Sequence, residues 1–275
     1  MLRREGTLTL FMPDLSHGPQ GGSTAQKYAK RMAGMGGRLI EIKVLWNQVE
    51  DRTVYPFNIP AIASIETLDL DWPVMFLVGE NGSGKSTLLQ AIAVGAGLNP
   101  EGGSRNLQFS TNATHSPLHA HLQLSYHGRH KRAFFLRAES FYNLATTYAE
   151  VFRISPPVPD LAEIHAQSHG ESFLHAIARH SGSQGLYLLD EPESALSVRG
   201  QLALLRHMHD GVNKGSQFLV STHSPILLAF PEARIYQMTD EGPDSKKYRE
   251  TDQYQLTRDF LQDPDQFFRY LFDKS

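Results

Sequence analysis

The stretch Gly79-Glu80-Asn81-Gly82-Ser83-Gly84-Lys85-Ser86-Thr87 contains the complete pattern G-x-x-x-x-G-K-[ST], which ends at Ser86. It follows the apolar run Val74–Val78 and precedes the alanine- and leucine-rich segment Leu88–Ala96. This order predicts a strand, a loop and a helix, the context in which the pattern binds phosphates. The glycines let the loop curl so that successive backbone N–H groups converge on phosphate oxygens. We therefore predict a nucleoside triphosphate site, with Lys85 on the β- and γ-phosphates and the Ser86 hydroxyl on Mg²⁺.

A second apolar run, Gly185–Leu189, ends in the adjacent carboxylates Asp190 and Glu191. An unbroken apolar run is typical of a parallel strand that is buried on both faces. We therefore predict a central strand beside the phosphate loop. Asp190 is predicted to hold Mg²⁺ through its water shell, and Glu191 to polarise the water that attacks the γ-phosphate.

A third apolar run, Gln217–Ser221, is followed by Thr222 and His223. It comes one helix length after the carboxylate strand, so the two strand ends should meet at the same edge of a sheet. Ligands bind at the carboxyl edge of such α/β sheets. His223 is therefore a candidate catalytic residue that contacts the γ-phosphate, and the alternative is a structural histidine at a strand end.

The segment before the carboxylate strand places Ser168 and Gly170 ahead of an amphipathic run, Phe173–Ala178. A serine and a glycine at a helix start offer a hydroxyl and free N–H groups to an anion. In this order and spacing, Gln167–Glu171 resembles the signature motif of ABC-type ATPases, whose usual form is Leu-Ser-Gly-Gly-Gln. His169 departs from that form at the first glycine, but the serine and the helix-start amides remain available. The resemblance implies that Ser168 and Gly170 bind ATP.

The resemblance also assigns roles to other residues. Ser194–Ser197 looks like the D-loop, and His223 matches the switch histidine. The Q-loop position, which contacts the metal, falls on Glu139 at the end of the strand before the helical region; Gln108 and Gln123 are the alternatives.

An aromatic residue that stacks on adenine is expected ahead of the phosphate loop. Tyr55 and Phe57 both lie some twenty residues before it. Equally, either ring could pack in the core.

The motifs together span roughly Leu39–Thr239 and resemble soluble bacterial ATPases of the AAA family, kin to the heads of DNA-repair and chromosome-maintenance ATPases. The resemblance implies an α/β fold, namely a P-loop NTPase with an ABC-type ATPase core. Its mainly parallel sheet would be flanked by helices and joined by an N-terminal antiparallel β portion. We expect a flexible leader over residues 1–38, a single domain over 39–275, and a helical or inserted region over about 97–183.

Three further patterns concern local structure. The domain should begin with a strand that presents one apolar face, formed by Ile40, Ile42, Val44 and Trp46. His121–Tyr126 and Lys131–Leu136 flank the polar stretch His127–His130, which predicts a hairpin with a basic tip that could contact nucleic-acid phosphates. The C-terminal aromatic cluster Phe267–Phe272 predicts a docked helix, or alternatively a partner surface.

Composition limits the class of protein. The chain of 275 residues has a net charge of −3, which argues against broad nonspecific nucleic-acid binding, though not against a local basic patch. It has no cysteine, so disulfides and thiolate zinc sites are excluded. It also lacks an apolar stretch of about 18 residues, the length needed to span a bilayer. A cytoplasmic location is expected.

We therefore predict an ATP-binding and ATP-hydrolysing protein with Mg²⁺ as cofactor. The ABC-type resemblance implies an ATP-sandwich homodimer, in which Ser168 and Gly170 of one subunit complete the γ-phosphate site of the other. Such a dimer would drive or gate an unknown protein partner. Two alternatives remain open: an ATP-gated binding module in nucleic-acid or phage-defence processes with slow hydrolysis, and the nucleotide-binding subunit of a transporter.

Overall fold

Two β-sheets organise the protein. The computed structural model describes residues 37–104, 116–139, 173–174, 176–178 and 183–272. Its strands are β1 (Arg38–Val44), β2 (Thr67–Asp69), β3 (Val74–Val78), β4 (Gly103–Ser104), β5 (Leu122–His127), β6 (Arg132–Arg137), β7 (Gly185–Asp190), β8 (Gln217–Ser221), β9 (Arg234–Thr239) and β10 (Gly242–Lys246). Its helices are α1 (Pro60–Ala63), α2 (Lys85–Gly95), α3 (Val198–Asn213), α4 (Pro225–Leu228), α5 (Asp252–Gln262) and α6 (Pro264–Phe272). Short 3₁₀ turns lie at Trp46–Gln48, Pro117–His121, Pro192–Ala195 and Tyr248–Glu250.

The larger sheet, among the described residues, has seven strands in the order β10-β9-β3-β8-β7-β6-β4. Neighbours from β9 to β6 run parallel, whereas β10 and β4 pair antiparallel at the two edges. The smaller sheet, β2-β1-β5, is antiparallel. The predicted fold class, a mainly parallel sheet with an N-terminal antiparallel β portion, is therefore confirmed.

The parallel strands contribute to two apolar cores, one on each face of the larger sheet. Successive side chains of a strand point to opposite faces, so a strand covered on both sides needs apolar residues throughout. In β3, Met75 and Leu77 join the core under α2 and the smaller sheet. Phe76 and Val78 join the core under α3 and α4. This double burial explains why β3 and β7 appear in the sequence as unbroken apolar runs.

The buried side chain of Gln217 joins the two sheets. Its Nε2 donates to the carbonyl oxygens of Leu39 at 2.9 Å and Leu70 at 2.7 Å, and its Oε1 accepts from the Leu39 N–H at 2.9 Å. Gln217 begins β8 in the larger sheet, whereas Leu39 belongs to β1 in the smaller one. A polar residue at the start of an apolar strand thus pairs the N–H and the carbonyl of Leu39, and it adds a second bond to the Leu70 carbonyl, which also accepts the Trp72 N–H at 2.8 Å.

The predicted hairpin is wrong, although both of its strands exist. β5 pairs with β1 in the smaller sheet, whereas β6 pairs with β7 and β4 in the larger one. β6 is buried on both faces and β5 is largely exposed, which suits a central strand and an outer strand respectively. His130 is buried between them, so the residues predicted as a basic tip instead carry the chain from one sheet to the other.

The predicted apolar face of β1 is also partly wrong. The pairing with β5 shifts register between Leu39 and Glu41, as at a β-bulge. A bulge adds a residue to one strand and changes which side chains face the core. Leu39, Ile42 and Val44 are therefore buried, while Ile40 is only partly covered.

The C-terminal aromatic segment forms helices α5 and α6, but neither helix buries a residue among those described. Tyr270 is 87% exposed, and Phe268 stacks on Phe272 within α6 itself. The helical prediction is confirmed, and the predicted docking is not observed within the described part of the chain.

Several predictions fall on other parts of the chain. Residues 1–36 of the predicted leader and most of the predicted inserted region lie outside the described residues. The described part of that region contributes β4, β5 and β6. Across the described ranges, every helix is too short or too polar to cross a membrane.

Candidate nucleotide site

Three strands of the larger sheet end level at one edge. β8 lies between β3 and β7, and Ser221 at its end is in register with both Leu77 and Asp190. The phosphate loop follows β3, Glu191 follows β7, and His223 lies two residues beyond β8. The three motifs predicted from separate parts of the sequence therefore meet at the carboxyl edge, where α/β sheets bind ligands.

The phosphate loop uses its glycines for backbone geometry that other residues adopt rarely. Gly79, Gly82 and Gly84 have φ angles of 143°, 83° and 94°. A Cβ at Gly79 would lie 2.7 Å from the Met238 carbonyl oxygen and 2.9 Å from the Ser83 hydroxyl. Only a glycine fits there, and the resulting turn directs the loop into the first turn of α2, whose free N–H groups attract anions.

The Lys85 side chain bonds to the backbone of its own phosphate loop. Its ammonium donates to the carbonyl oxygens of Gly79 at 2.9 Å and Glu80 at 2.8 Å, and the side chain is buried. Burial lowers the pKa of Lys85, and the nearby Glu191 and Asp190 carboxylates oppose that shift. The same ammonium is the group available to an incoming phosphate, since its present partners are neutral carbonyls.

The buried carboxylate of Asp190 is the centre of a polar cluster. Its Oδ1 accepts a hydrogen bond from the Ser86 hydroxyl at 2.8 Å and another from the Ser221 hydroxyl. Its Oδ2 lies 3.3 Å from Nε of Arg137, the last residue of β6. Ser86 and Asp190, both predicted to contact Mg²⁺, are thus in direct contact, and Arg137 is a neighbour that the motifs did not indicate.

Glu191 leaves the strand through a left-handed turn. Its φ and ψ are 48° and 52°, and its N–H donates to the Ser221 carbonyl oxygen at 3.0 Å. Its Oε1 lies 3.7 Å from Nε2 of His223, and the two side chains are 39% and 35% exposed. The Nε2 atom is itself buried and has no hydrogen-bond partner among the described residues. The two predicted catalytic residues therefore lie side by side with part of each side chain open to solvent.

Glu193 holds the backbone beside His223. Its Oε1 accepts the His223 N–H at 2.5 Å, and the Thr222 side chain also bonds to it. Burial raises the pKa of Glu193, the Glu191 charge adds to that shift, and these hydrogen bonds oppose it. No motif indicated Glu193, although a third acid two positions after Glu191 was a usable signal.

Gln201 links the segment after the carboxylates to the segment after β8. Its Nε2 donates to the Leu196 carbonyl oxygen at 3.3 Å, and its Oε1 accepts from the Ser224 hydroxyl at 2.6 Å. Ser224 in turn caps α4. Because Gln201 is a polar residue on a buried face of α3, its role depends on contacts that no local pattern indicates.

The two candidate adenine-stacking rings lie in different environments. Phe57 is buried against Trp46 and His121, so it is a core residue. Tyr55 is 59% exposed, and its hydroxyl lies 3.2 Å from the hydroxyl of Thr87, the last residue of the phosphate loop. Of the two, only Tyr55 has a free ring beside the loop.

The remaining predicted residues are the Q-loop candidates and those of the signature motif. Glu139 follows β6, and its 78% exposed carboxylate lies 3.1 Å from Arg137 Nη2. Gln123, one alternative for the Q-loop, lies opposite Lys43 in the smaller sheet. The other alternative, Gln108, lies outside the described residues, as do Ser168 and Gly170.

The chemistry of the site fits a nucleotide with Mg²⁺. Mg²⁺ is usually held by one or two carboxylates together with substrate phosphates and water. The edge offers the Asp190 carboxylate and the Ser86 hydroxyl in contact at 2.8 Å. The Ser83 hydroxyl, like His223 Nε2, is buried without a hydrogen-bond partner in the described ranges, so both atoms are available to an oxygen-rich ligand.

The chain is similar to several known proteins. Residues 74–150 match the family model described as "AAA domain, putative AbiEii toxin, Type IV TA system". The SMC head domain from Thermotoga maritima is similar over 76% of this chain and 98% of its own, with 14% identity and a TM-score of 0.40.

The chain is also similar to cytochrome c biogenesis ATP-binding export proteins CcmA. The protein from Aliivibrio fischeri (strain ATCC 700601 / ES114) is 28% identical over 58% of this chain and 82% of its own length. The protein from Rhodopseudomonas palustris (strain HaA2) is 34% identical over the same shares of the two chains. With the phosphate loop, the carboxylates and the histidine at one sheet edge, this similarity shows that the chain belongs to the ABC-type ATPases.

Proposed function

We propose that the chain binds Mg-ATP at this sheet edge and hydrolyses it. The observation that supports the proposal most is the contact of 2.8 Å between Ser86 and Asp190, together with the distance of 3.7 Å between Glu191 and His223. One pair offers the oxygen atoms suited to a divalent cation, and the other pair offers a base and a hydrogen-bond donor. Both pairs lie at the mouth of the same phosphate loop.

The residues divide the chemical work. The loop amides and Lys85 bind the phosphates, and Ser86 and Asp190 would hold the metal. Mg²⁺ when bound neutralises charge that develops on the phosphate oxygens. The Glu191 carboxylate orients and polarises the attacking water, and His223 donates a hydrogen bond to the γ-phosphate. The left-handed turn at Glu191 ends the strand there, and the charge of its carboxylate acts on Lys85 of the phosphate loop, which supports this assignment.

Assembly into an ATP-dependent dimer is part of the proposal. Glu191 and His223 both remain partly exposed within one subunit, at 39% and 35%, so a second subunit could cover them. In ABC-type ATPases the signature motif of a second subunit has this role, and the matching residues here are Ser168 and Gly170. Such a dimer would close on ATP and open after hydrolysis, and that cycle would drive or gate a partner protein.

A second candidate function is that of a subunit that supplies ATP hydrolysis to a membrane export complex. The relatives at 34% and 28% identity are named as ATP-binding export proteins, which favours this candidate. The test is co-purification of the tagged chain from detergent-solubilised membranes of its native host. Recovery of a stoichiometric membrane protein would support it, and recovery of the chain without one would count against it.

The test of the main proposal combines phosphate release with equilibrium binding of a fluorescent ATP analogue. The wild type should release phosphate in the presence of Mg²⁺. Lys85→Ala should lose nucleotide affinity. Glu191→Gln should keep that affinity but release phosphate about a hundredfold more slowly, because it keeps the shape of the side chain and removes its charge. Glu241→Gln, an exposed carboxylate elsewhere, is the control. Undiminished turnover in Glu191→Gln would refute its assigned role.

A further inference from the structure

Arg137 places a guanidinium group between two carboxylates at the nucleotide site. It ends β6 and lies in register with Asp190 at the end of β7. Its Nε lies 3.3 Å from Asp190 Oδ2, and its Nη2 lies 3.1 Å from Glu139 Oε2. Asp190 is buried and Glu139 is exposed, so the pair with Asp190 is the one that solvent screens less.

The other carboxylate oxygen of Asp190 contacts the phosphate loop. The Ser86 hydroxyl, at the start of α2, donates to Oδ1 at 2.8 Å. A single carboxyl group therefore separates Arg137 from the end of the phosphate loop. Arginine stays protonated at all physiological pH values, so this positive charge is permanent.

A fixed cation at this carboxylate acts in opposite ways on a divalent cation and on a polyphosphate. It repels a divalent cation that approaches Asp190, and it attracts the polyphosphate that approaches Ser86 and Lys85. We propose that Arg137 is a built-in cation of the phosphate site, which supplies part of the charge that Mg²⁺ would otherwise bring, so that metal-free nucleoside triphosphate also binds. This inference rests on the proposed function of the site as a nucleotide site.

Glu139 supports this role from the other side of the guanidinium. Its exposed ion pair with Arg137 contributes little free energy, but it gives the guanidinium a second carboxylate contact, at Nη2. The resemblance assigned Glu139 itself to the metal. That assignment stays a prediction, and the observed partner of the Glu139 carboxylate is the Arg137 guanidinium at 3.1 Å.

The test measures the dissociation constant of a fluorescent ATP analogue in Mg²⁺ and in EDTA. The value in EDTA is divided by the value in Mg²⁺ to give a ratio. Arg137→Met removes the charge and keeps most of the side-chain length. We expect its ratio to exceed that of the wild type at least about tenfold, because metal-free affinity falls while affinity with Mg²⁺ changes little. Arg132→Met, an exposed arginine at the other end of β6, should keep the wild-type ratio.

Two further measurements distinguish an effect of the Arg137 charge from a structural effect of the substitution. Arg137→Lys should restore the ratio toward the wild type, because it retains a cation. Without nucleotide, Mg²⁺ should raise the melting temperature of Arg137→Met more than that of the wild type. An unchanged ratio in Arg137→Met, or a ratio in Arg137→Lys equal to that of Arg137→Met, would overturn the inference. A wild type that fails to bind the analogue even with Mg²⁺ would instead overturn the proposed function.

Discussion

The imidazole Nε2 of His223 lies 3.7 Å from Oε1 of Glu191, although the two residues follow different strands. Both backbones are fixed near this contact. Glu191 donates its N–H to the Ser221 carbonyl oxygen at 3.0 Å, and His223 donates its own to Glu193 at 2.5 Å. The pair is therefore preorganised by hydrogen bonds within the protein, as the proposed catalytic role requires.

His223→Ala should reduce turnover by at least about tenfold, a loss of roughly 1.4 kcal/mol of transition-state stabilisation. Nucleotide affinity and stability should change little, because the side chain is partly exposed and its Nε2 bonds to no other described residue. Steady-state phosphate release measures the effect. His209→Ala, on the exposed face of α3, is the control, and equally small effects from both would identify His223 as structural.

The sequence predicts the central strands and the three motifs of this edge because each has a local cause. A strand buried on both faces must be apolar throughout, and a phosphate loop needs glycines at fixed spacing. The level ends of β3, β7 and β8 then follow from parallel pairing, since a parallel sheet gathers the carboxyl ends of its strands.

The sequence does not predict contacts that depend on which strands become neighbours. β5 and β6 have the pattern of a hairpin, and only the assembled sheets show that they have different partners. Arg137 is an ordinary polar residue at a strand end until β7 brings Asp190 beside it. Gln217 similarly gains its role only when β1 lies against the start of β8.

Tyr55 is expected to bind the base of the nucleotide, because its exposed ring lies beside Thr87. Aromatic stacking on a base is worth about 1–3 kcal/mol, so Tyr55→Ala should weaken binding of the fluorescent ATP analogue about tenfold or more. Tyr55→Phe keeps the ring, loses the hydroxyl contact with Thr87, and should retain most of the affinity. Equal losses in the two variants would show that the hydroxyl, rather than the ring, is responsible.

Blocking hydrolysis should trap the proposed dimer. In light scattering, Glu191→Gln should have the mass of a dimer with Mg-ATP and less dimer with ADP. Adding Ser168→Arg places a bulky side chain in the signature motif and should restore the monomer, while binding of the ATP analogue by one subunit persists. A mass that ATP leaves unchanged at micromolar protein would exclude the sandwich dimer for the isolated chain.

Gln217→Ala should destabilise the protein by at least about 2 kcal/mol, since each buried backbone group left unpaired costs about 1–3 kcal/mol. The affected groups are the N–H and carbonyl of Leu39 and the carbonyls of Leu70 and Trp72, of which the Leu70 carbonyl keeps the Trp72 N–H as a second partner. Urea unfolding followed by circular dichroism measures the change. Gln123→Ala, at an exposed position on β5, should be close to neutral, and similar losses from both would contradict a specific role for Gln217.

Burial raises the pKa of Glu193 above its ordinary value, and the neighbouring Glu191 charge adds to the shift. The folded protein therefore binds this proton more tightly than the unfolded chain does. Its contribution to stability is fully present below the ordinary pKa of about 4.5, and it is lost as the pH rises through the raised pKa. A neutral side chain at this position should not show that loss.

Glu193→Gln keeps an oxygen that can accept the His223 N–H, and it is neutral at every pH. Its melting temperature minus that of the wild type should therefore increase as the pH rises from about 4 through the raised pKa, and then level off. Thermal unfolding in a series of buffers between about pH 4 and pH 8 measures the difference. Glu241→Gln, on the exposed turn between β9 and β10, should follow the wild type across the series. A pH-independent difference for Glu193→Gln would mean that the carboxyl ionises as easily in the folded protein as in the unfolded chain.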